Sequence, residues 1–285
     1  MKKLILIDFS WLYNRYYYVA AYAKTQEKEK LNIEATLFKM LSQFLTILGN
    51  SYEEAHVFMA MDSPTSTLYN FQLFLGYKQN RNKEEKKEVY AYLTDIVKKL
   101  SKKLDKRRFS FIKARRYEAD QLLAYIVKRY SNNYEIIIYS GDKDLLQLTA
   151  YPNVLISDKF EKGHFIVKTD EEIFQKFKNS KGEDFSRIST DKKDILKYRV
   201  LKGDASDNLS PIFPRIKDKE IQEIIKNYWI DEEELTEQRI KDILDDLRAD
   251  NAALAEKLEV HKDTWLRNYK IMDLYHVEDI KMKKL

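Results

Sequence analysis

The sequence predicts an α/β fold: a mostly parallel central sheet flanked by helices, followed by a helical C-terminal region. Three observations carry that expectation. Short apolar runs of strand length alternate with stretches of helical periodicity. The runs are continuous rather than alternating, as in strands covered on both faces. Strand-like runs largely cease after about residue 168.

Taken in order, Leu4-Ile5-Leu6-Ile7 reads as the first strand and ends in Asp8. Trp11 to Ala23 then has apolar positions at helical spacing. Val57 to Met61 is the second strand, ending in Asp62, and Phe109 to Ile112 is the third. Tyr117 to Tyr130 reads as a helix whose inner face is Ala119, Leu122, Leu123, Ile126 and Val127. Glu135 to Tyr139 is the fourth strand and runs into Ser140-Gly141-Asp142; Asn153 to Ser157 is the fifth. The stretch between Asp62 and Phe109 is too long for an ordinary crossover, is highly charged, and lacks Gly and Pro after Gly76. From residue 169 the chain reads as helices with polar connections, so the expected division is 1–168 and 169–285.

Composition narrows the function classes. Across 285 residues, 44% are hydrophobic and 34% charged, and the longest apolar runs are far too short to cross a bilayer. The chain opens almost directly on a strand-like run, so no signal peptide is expected. The lack of cysteine excludes disulfides and thiolate metal sites. A cytoplasmic, monomeric protein without membrane contacts is the expectation. The net charge of +5 is unevenly spread. Asp231 to Glu259 holds eleven acids against four bases, which leaves +12 on the rest, and Lys98 to Arg108 holds seven bases against one acid. A polyanion would suit the basic surface; a solvated helix face accounts for the same run.

Acids end three of the predicted strands: Asp8, Asp62, and the Asp142/Asp144 pair. Glu118/Asp120 and Asp204/Asp207 stand at helix starts. Singly, each has a bland account. Asp8 would cap a helix, Glu118 and Asp120 would complement a helix dipole, and the remaining pairs would sit in loops. Jointly they point elsewhere, because open parallel sheets gather ligand chemistry at the carboxyl ends of their strands. Clustered carboxylates repel and need cations at neutral pH. Oxygen donors, with no Cys and only four His, favour Mg²⁺ or Mn²⁺ over Zn²⁺. Paired ions about 4 Å apart would serve phosphoryl chemistry.

Five phrases then resemble a known family: Leu6-Ile7-Asp8-Phe9-Ser10, Tyr77-Lys78-Gln79-Asn80-Arg81, Arg116-Tyr117-Glu118-Ala119, Gln147 to Val154, and Leu201-Lys202-Gly203-Asp204. In this order they are similar to the 5′-nuclease superfamily of flap endonucleases and 5′-3′ exonucleases, with the T-even phage ribonuclease H branch as the best match. The resemblance implies a PIN-like catalytic domain over 1–168 and a helical DNA-binding domain over 169–285. A helical arch would be inserted at about 66–108, with residues 83–108 as its basic span. It implies hydrolysis of phosphodiesters at 5′ ends of DNA or RNA·DNA duplexes, whether as exonuclease, flap endonuclease or in primer removal. Asp8, Asp62, Glu118 and Asp120 would surround one Mg²⁺, and Asp142, Asp144, Asp204 and Asp207 a second, with Mn²⁺ able to substitute. Lys78 and Arg81 match the family's Tyr-Lys-x-x-Arg motif and would face the scissile phosphate. Arg15 matches a family arginine. Lys102, Lys103 and Arg107 in the arch, and Arg215, Lys217 and Lys219 beyond it, would contact other phosphates. Tyr77, Tyr90 and Tyr92 would stack on unpaired bases. The acidic segment would face away from DNA or dock a single-strand-binding protein or sliding clamp. A phage-encoded protein acting in the host cytoplasm is the expected setting.

Three departures from the family pattern stand out: Phe9 follows Asp8 where Gly is usual, Gln121 replaces a second acid after Asp120, and residues 209–219 contain no glycine. Other readings remain in view. A PIN-type endoribonuclease lacks the long insertion and the Gly203-Asp204 motif. A haloacid-dehalogenase phosphatase needs a second Asp where Ser10 stands. A silent nucleic-acid binder gains nothing from eight acids set against phosphates.

Overall fold

The computed structural model describes residues 2–27, 32–80, 87–178, 182–231, 233–277 and 280–284. Its six-stranded sheet has the order β5-β4-β1-β2-β3-β8. β1 (Lys2–Asp8) pairs in parallel with β2 (His56–Ala60) on one side and β4 (Tyr134–Tyr139) on the other. β3 (Phe109–Lys113) extends the first side and β5 (Val154–Ser157) the second, both parallel. The chain thus builds outward from β1 to β3, then returns to the far side of β1 with β4. That reversal opens a crevice at the carboxyl ends of β1 and β4.

Alternation along the strands divides the core into two layers. Leu4 and Leu6 of β1 join Ile136 and Ile138 on one face, and Ile5 and Ile7 join Val57 and Met59 on the other. The second face is covered by α1 (Phe9–Glu27), α2 (Ile33–Ser51) and α4 (Leu93–Lys103). Asn32 starts α2 by accepting from the Ala35 amide at 3.2 Å. Phe9 is fully buried, edge-on to Phe111 at 5.0 Å, so the departure from glycine there is a packing substitution.

The first face is covered by α5 (Ala119–Tyr130) and by the C-terminal helices: α6 (Asp170–Phe174), α7 (Asp194–Lys202), α8 (Asp218–Asn227), α9 (Glu237–Asp250), α10 (Ala252–Val260) and α11 (Lys262–Met272). Trp229 and Trp265, 5.5 Å apart, share one continuous apolar cluster with Leu122 of α5 and Ile138 of β4. The short α3 (Leu68–Leu73) follows β2.

Within the stretch expected to form the arch, α4 buries Ile96, Val97 and Leu100 beside α2 and β3. Two expectations need correction. A hairpin of β6 (Lys159–Glu161) and β7 (His164–Ile166) lies where no strand was expected. Its arms are three residues each, too short for a period to show, while the Lys162-Gly163 turn has the positive φ of a tight hairpin. Strand pairing also recurs past residue 168, where β8 (Lys283–Lys284) adds antiparallel to the β3 edge. No helix among the described residues is long and apolar enough to cross a membrane.

Candidate active site

All eight singled-out acids line one cavity of about 730 Å³ at the crevice between β1 and β4. Asp8 ends β1 and is buried, accepting from the Trp11 amide at 2.9 Å and the Ser140 hydroxyl at 3.0 Å. The same Ser140 oxygen accepts from the Asp142 amide at 3.0 Å, tying the β1 and β4 termini together. Asp62 follows β2 and accepts from the Ala119 amide at 2.9 Å, which fixes the start of α5. Asp142 accepts from the Asp144 amide at 2.9 Å.

Glu118, at the α5 N-cap, turns its carboxylate inward. It receives the Tyr77 hydroxyl at 2.6 Å and the Lys78 ammonium at 2.6 and 2.8 Å. The side chain of Gln121 reaches back to accept from the Glu118 amide at 2.9 Å. Gln121 therefore does a capping job that leaves the Glu118 carboxylate available to the cavity. The loop carrying Lys78, itself at φ 54°, is stitched to the Asp204–Asn208 turn. The Lys78 amide donates to the Asp207 carbonyl at 3.1 Å, and the Asn208 side chain donates to the Gly76 carbonyl at 2.8 Å.

That turn depends on Gly203. Its φ of 73° is left-handed, and a Cβ there would lie 2.5 Å from the Ser210 carbonyl carbon. Arg199, buried on α7, bonds Asp144 with one guanidinium nitrogen and Asp204 with the other at 2.7 Å. Sequence reasoning missed Arg199, Ser140 and Asn268. The last donates to the Val200 and Ser210 carbonyls at 3.1 and 2.9 Å, bracing the same turn. Position alone in the Ser140-Gly141-Asp142 phrase hinted at Ser140; nothing local marks the other two.

Electrostatics express the crowding. Burial, reinforced by repulsion from Asp62, pushes the Asp8 carboxyl up to about 7. Burial and Asp144 push Asp142 up to about 8, and burial with Glu118 raises Asp120. Against the cost of its own burial, the Ser206 hydroxyl and Arg199 hold Asp204 below the usual carboxylate range. Among the described residues no three of these groups converge closely enough, as the side chains stand, to ligate one ion. Amides, hydroxyls, Lys78 and Arg199 hold them instead. The donor set nonetheless fits hard divalent cations: all oxygen, mutually repelling, and with Asp8, Glu118 and Asp207 buried.

The other predicted residues divide. Lys78 lines the cavity; Arg15 does not, but it is exposed, lies over Trp11, which does, and donates to the Asp158 carbonyl at 2.8 Å. Arg81 lies outside the described residues. Lys102, Lys103 and Arg107 are exposed at the amino edge of the sheet, opposite the acids. The neighbouring Arg108 carbonyl meets the Val57 amide at the start of β2. They lie there because α4 runs back along the sheet to begin β3. Arg215, Lys217 and Lys219 are exposed on the chain beyond Asn208; Arg215 adopts φ 61°, taking the left-handed turn without glycine. Tyr77 is buried against Glu118 and is not open for stacking, and Tyr90 lines the cavity while stacked on Tyr13.

The chain is 28% identical over 283 residues to a 5′-3′ exonuclease of Mycoplasmopsis pulmonis, covering 99% of this chain and 84% of that one. It is 24% identical over 211 residues to DNA polymerase I of Streptococcus pneumoniae, covering 73% of this chain but 22% of the polymerase. Among solved structures, a bacteriophage T5 flap endonuclease complex with DNA and metal ions has TM-score 0.64 at 18% identity, covering 96% of this chain and 90% of that one. The T5 5′-exonuclease with bound zinc has TM-score 0.64 at 20% identity and the same coverage. Residues 3–178 match the family described as 5′-3′ exonuclease, N-terminal resolvase-like domain, and the chain belongs to that family.

Proposed function

We propose that the protein is a metal-dependent 5′-nuclease that hydrolyses phosphodiesters at the 5′ ends of DNA or RNA·DNA duplexes, including flaps and primers. One observation carries the reading: eight acids from five stretches of chain line a single cavity at the point where the strand order reverses. The solved relative with DNA and metal ions supports the same substrate class. Asp8, Asp62, Glu118 and Asp120 would hold one divalent cation, and Asp142, Asp144, Asp204 and Asp207 another, with Mg²⁺ as the natural ion and Mn²⁺ as a substitute. Such ions, when bound, supply charge neutralisation at the attacking and leaving oxygens of a phosphodiester.

The chain's own residues do the rest. Lys78, held over Tyr77 and against Glu118, offers an ammonium to a phosphate oxygen as negative charge grows. Arg81, by its place in the motif, would face the scissile phosphate through a bidentate contact, and Arg15 would bind the flanking backbone. Asp8 and Asp142, raised to about 7 and 8, bind protons more tightly than ordinary carboxylates. We assign residues 1–168 to catalysis and 169–285 to duplex binding, with Arg215, Lys217 and Lys219 as phosphate contacts.

The test is cleavage of a 5′-labelled flap duplex and an RNA-primed duplex, with Mg²⁺ or with EDTA, beside an Asp120→Asn variant. Metal-dependent 5′-phosphorylated products, sharply reduced in the variant, are expected. Duplex binding without cleavage in Mg²⁺ or Mn²⁺ would sink the catalytic reading.

A further inference from the structure

Arg199 has a position that the proposed reaction does not use. It is 5% exposed on α7, and its guanidinium stands behind the cavity wall. One terminal nitrogen bonds Asp144, from the turn after β4; the other lies 2.7 Å from Asp204, in the turn after α7. Lys78 bonds Glu118 and stands 3.7 Å from Asp207, one acid from each half; among the described residues no ion pair reaches Asp8, Asp62, Asp120 or Asp142, so only Arg199 ties two acids of the same half together.

The asymmetry has a chemical consequence. A planar guanidinium holds two carboxylates through separate directed bonds. Removing one partner of a buried pair leaves a costly unpaired charge. A divalent cation shared by Asp144 and Asp204 must displace a cation already bonded to both. A cation beside Asp8 and Asp62 meets carboxylates held only by amides and a hydroxyl.

We propose that Arg199 is a positioning residue that serves as an internal counter-cation for the Asp144/Asp204 half of the cluster, so that metals load in order. The first ion enters beside Asp8 and Asp62. The second enters only when Arg199 gives up its two carboxylates. Metal-free protein therefore keeps the Asp204 turn docked on the sheet through Arg199, and the second ion exchanges one cation for another. This inference rests on the metal reading given above.

The test titrates metal-free protein with Mn²⁺ alone, by calorimetry and by magnetic resonance of free Mn²⁺, for the wild type, Arg199→Met and Arg199→Lys. Circular dichroism checks the fold of each. The wild type is expected to bind one Mn²⁺ and then a second at least about tenfold more weakly. In Arg199→Met the second site should tighten by about tenfold while the first stays within about twofold. Arg199→Lys should fall between, since one ammonium cannot hold both carboxylates equally, and it carries the test if the methionine variant does not fold. A merely structural arginine would not tighten metal binding on removal. Equal sites in the wild type, or a second site weakened by the substitutions, overturn the inference and leave the metal reading standing. No Mn²⁺ bound by the wild type overturns both.

Discussion

The Lys78 ammonium lies 2.6 Å from one carboxylate oxygen of Glu118 and 2.8 Å from the other, in a pocket where Asp207 is 3.7 Å away. The pair joins the loop after α3 to the start of α5, and it sets a protein cation at the mouth of an acid cluster. Lys78→Ala should lower single-turnover cleavage of a flap duplex by about 10²–10³, the usual loss of a transition-state charge contact. Mn²⁺ affinity should hold or rise, since the ammonium competes for Glu118. A large fall in Mn²⁺ affinity would instead make Lys78 a support for the metal ligands.

Stability of metal-free protein should fall as pH rises. Asp8 and Asp142 have folded values raised to about 7 and about 8 from the ordinary 3.8. The folded state therefore binds more protons than the unfolded chain between pH 4 and 8, and that contribution is full at the acid end and lost as pH climbs through the window. His276, raised chiefly by its bond to Asp273, loses its contribution in the same direction. Melting in EDTA at pH 5.5 and pH 8 checks this. Mn²⁺ at pH 8 should restore the loss, and an unchanged melting temperature across the range would contradict it.

Gln121→Ala should cost about 1–3 kcal/mol, because the buried Glu118 amide loses its acceptor. Urea unfolding measures the cost. Mn²⁺ affinity separates the two views of this position: a capping role predicts a modest change by way of Glu118, and a replaced ligand predicts none.

Gly203→Ala should cost about 1–3 kcal/mol of backbone strain. Its new Cβ would crowd the Ser210 carbonyl carbon at 2.5 Å and the Leu209 oxygen at 2.6 Å. The relief available is movement of the Asp204 turn, so duplex cleavage should fall more than stability does. A variant as active and as stable as the wild type would show that the turn has room this geometry denies.

Much of this protein was legible along the chain. Continuous apolar runs ending in Asp8 and Asp62, and one leading to Asp142, specify parallel strands whose carboxyl ends bear acids. Parallel strands bring those ends to one edge, so the cluster follows from pattern and topology alone. The helical periodicity of Tyr117 to Tyr130 likewise fixed which way Glu118 and Asp120 begin a helix.

What only the tertiary structure decided is how the charges are apportioned. For the basic run from Lys98 to Arg108, composition records charge but not direction; only the packing shows that its helix buries Ile96, Val97 and Leu100 and ends at the far edge of the sheet. Gln121 read as a missing ligand, and became a cap once its side chain had a backbone amide within 2.9 Å. Arg199 carried no local signal, since its partners lie 55 and 5 residues away and on different walls of the cavity. Strand and helix periods are local properties that a sequence displays directly. The pairing of a buried cation with acids from distant turns depends on distances that exist only after the two cores have packed.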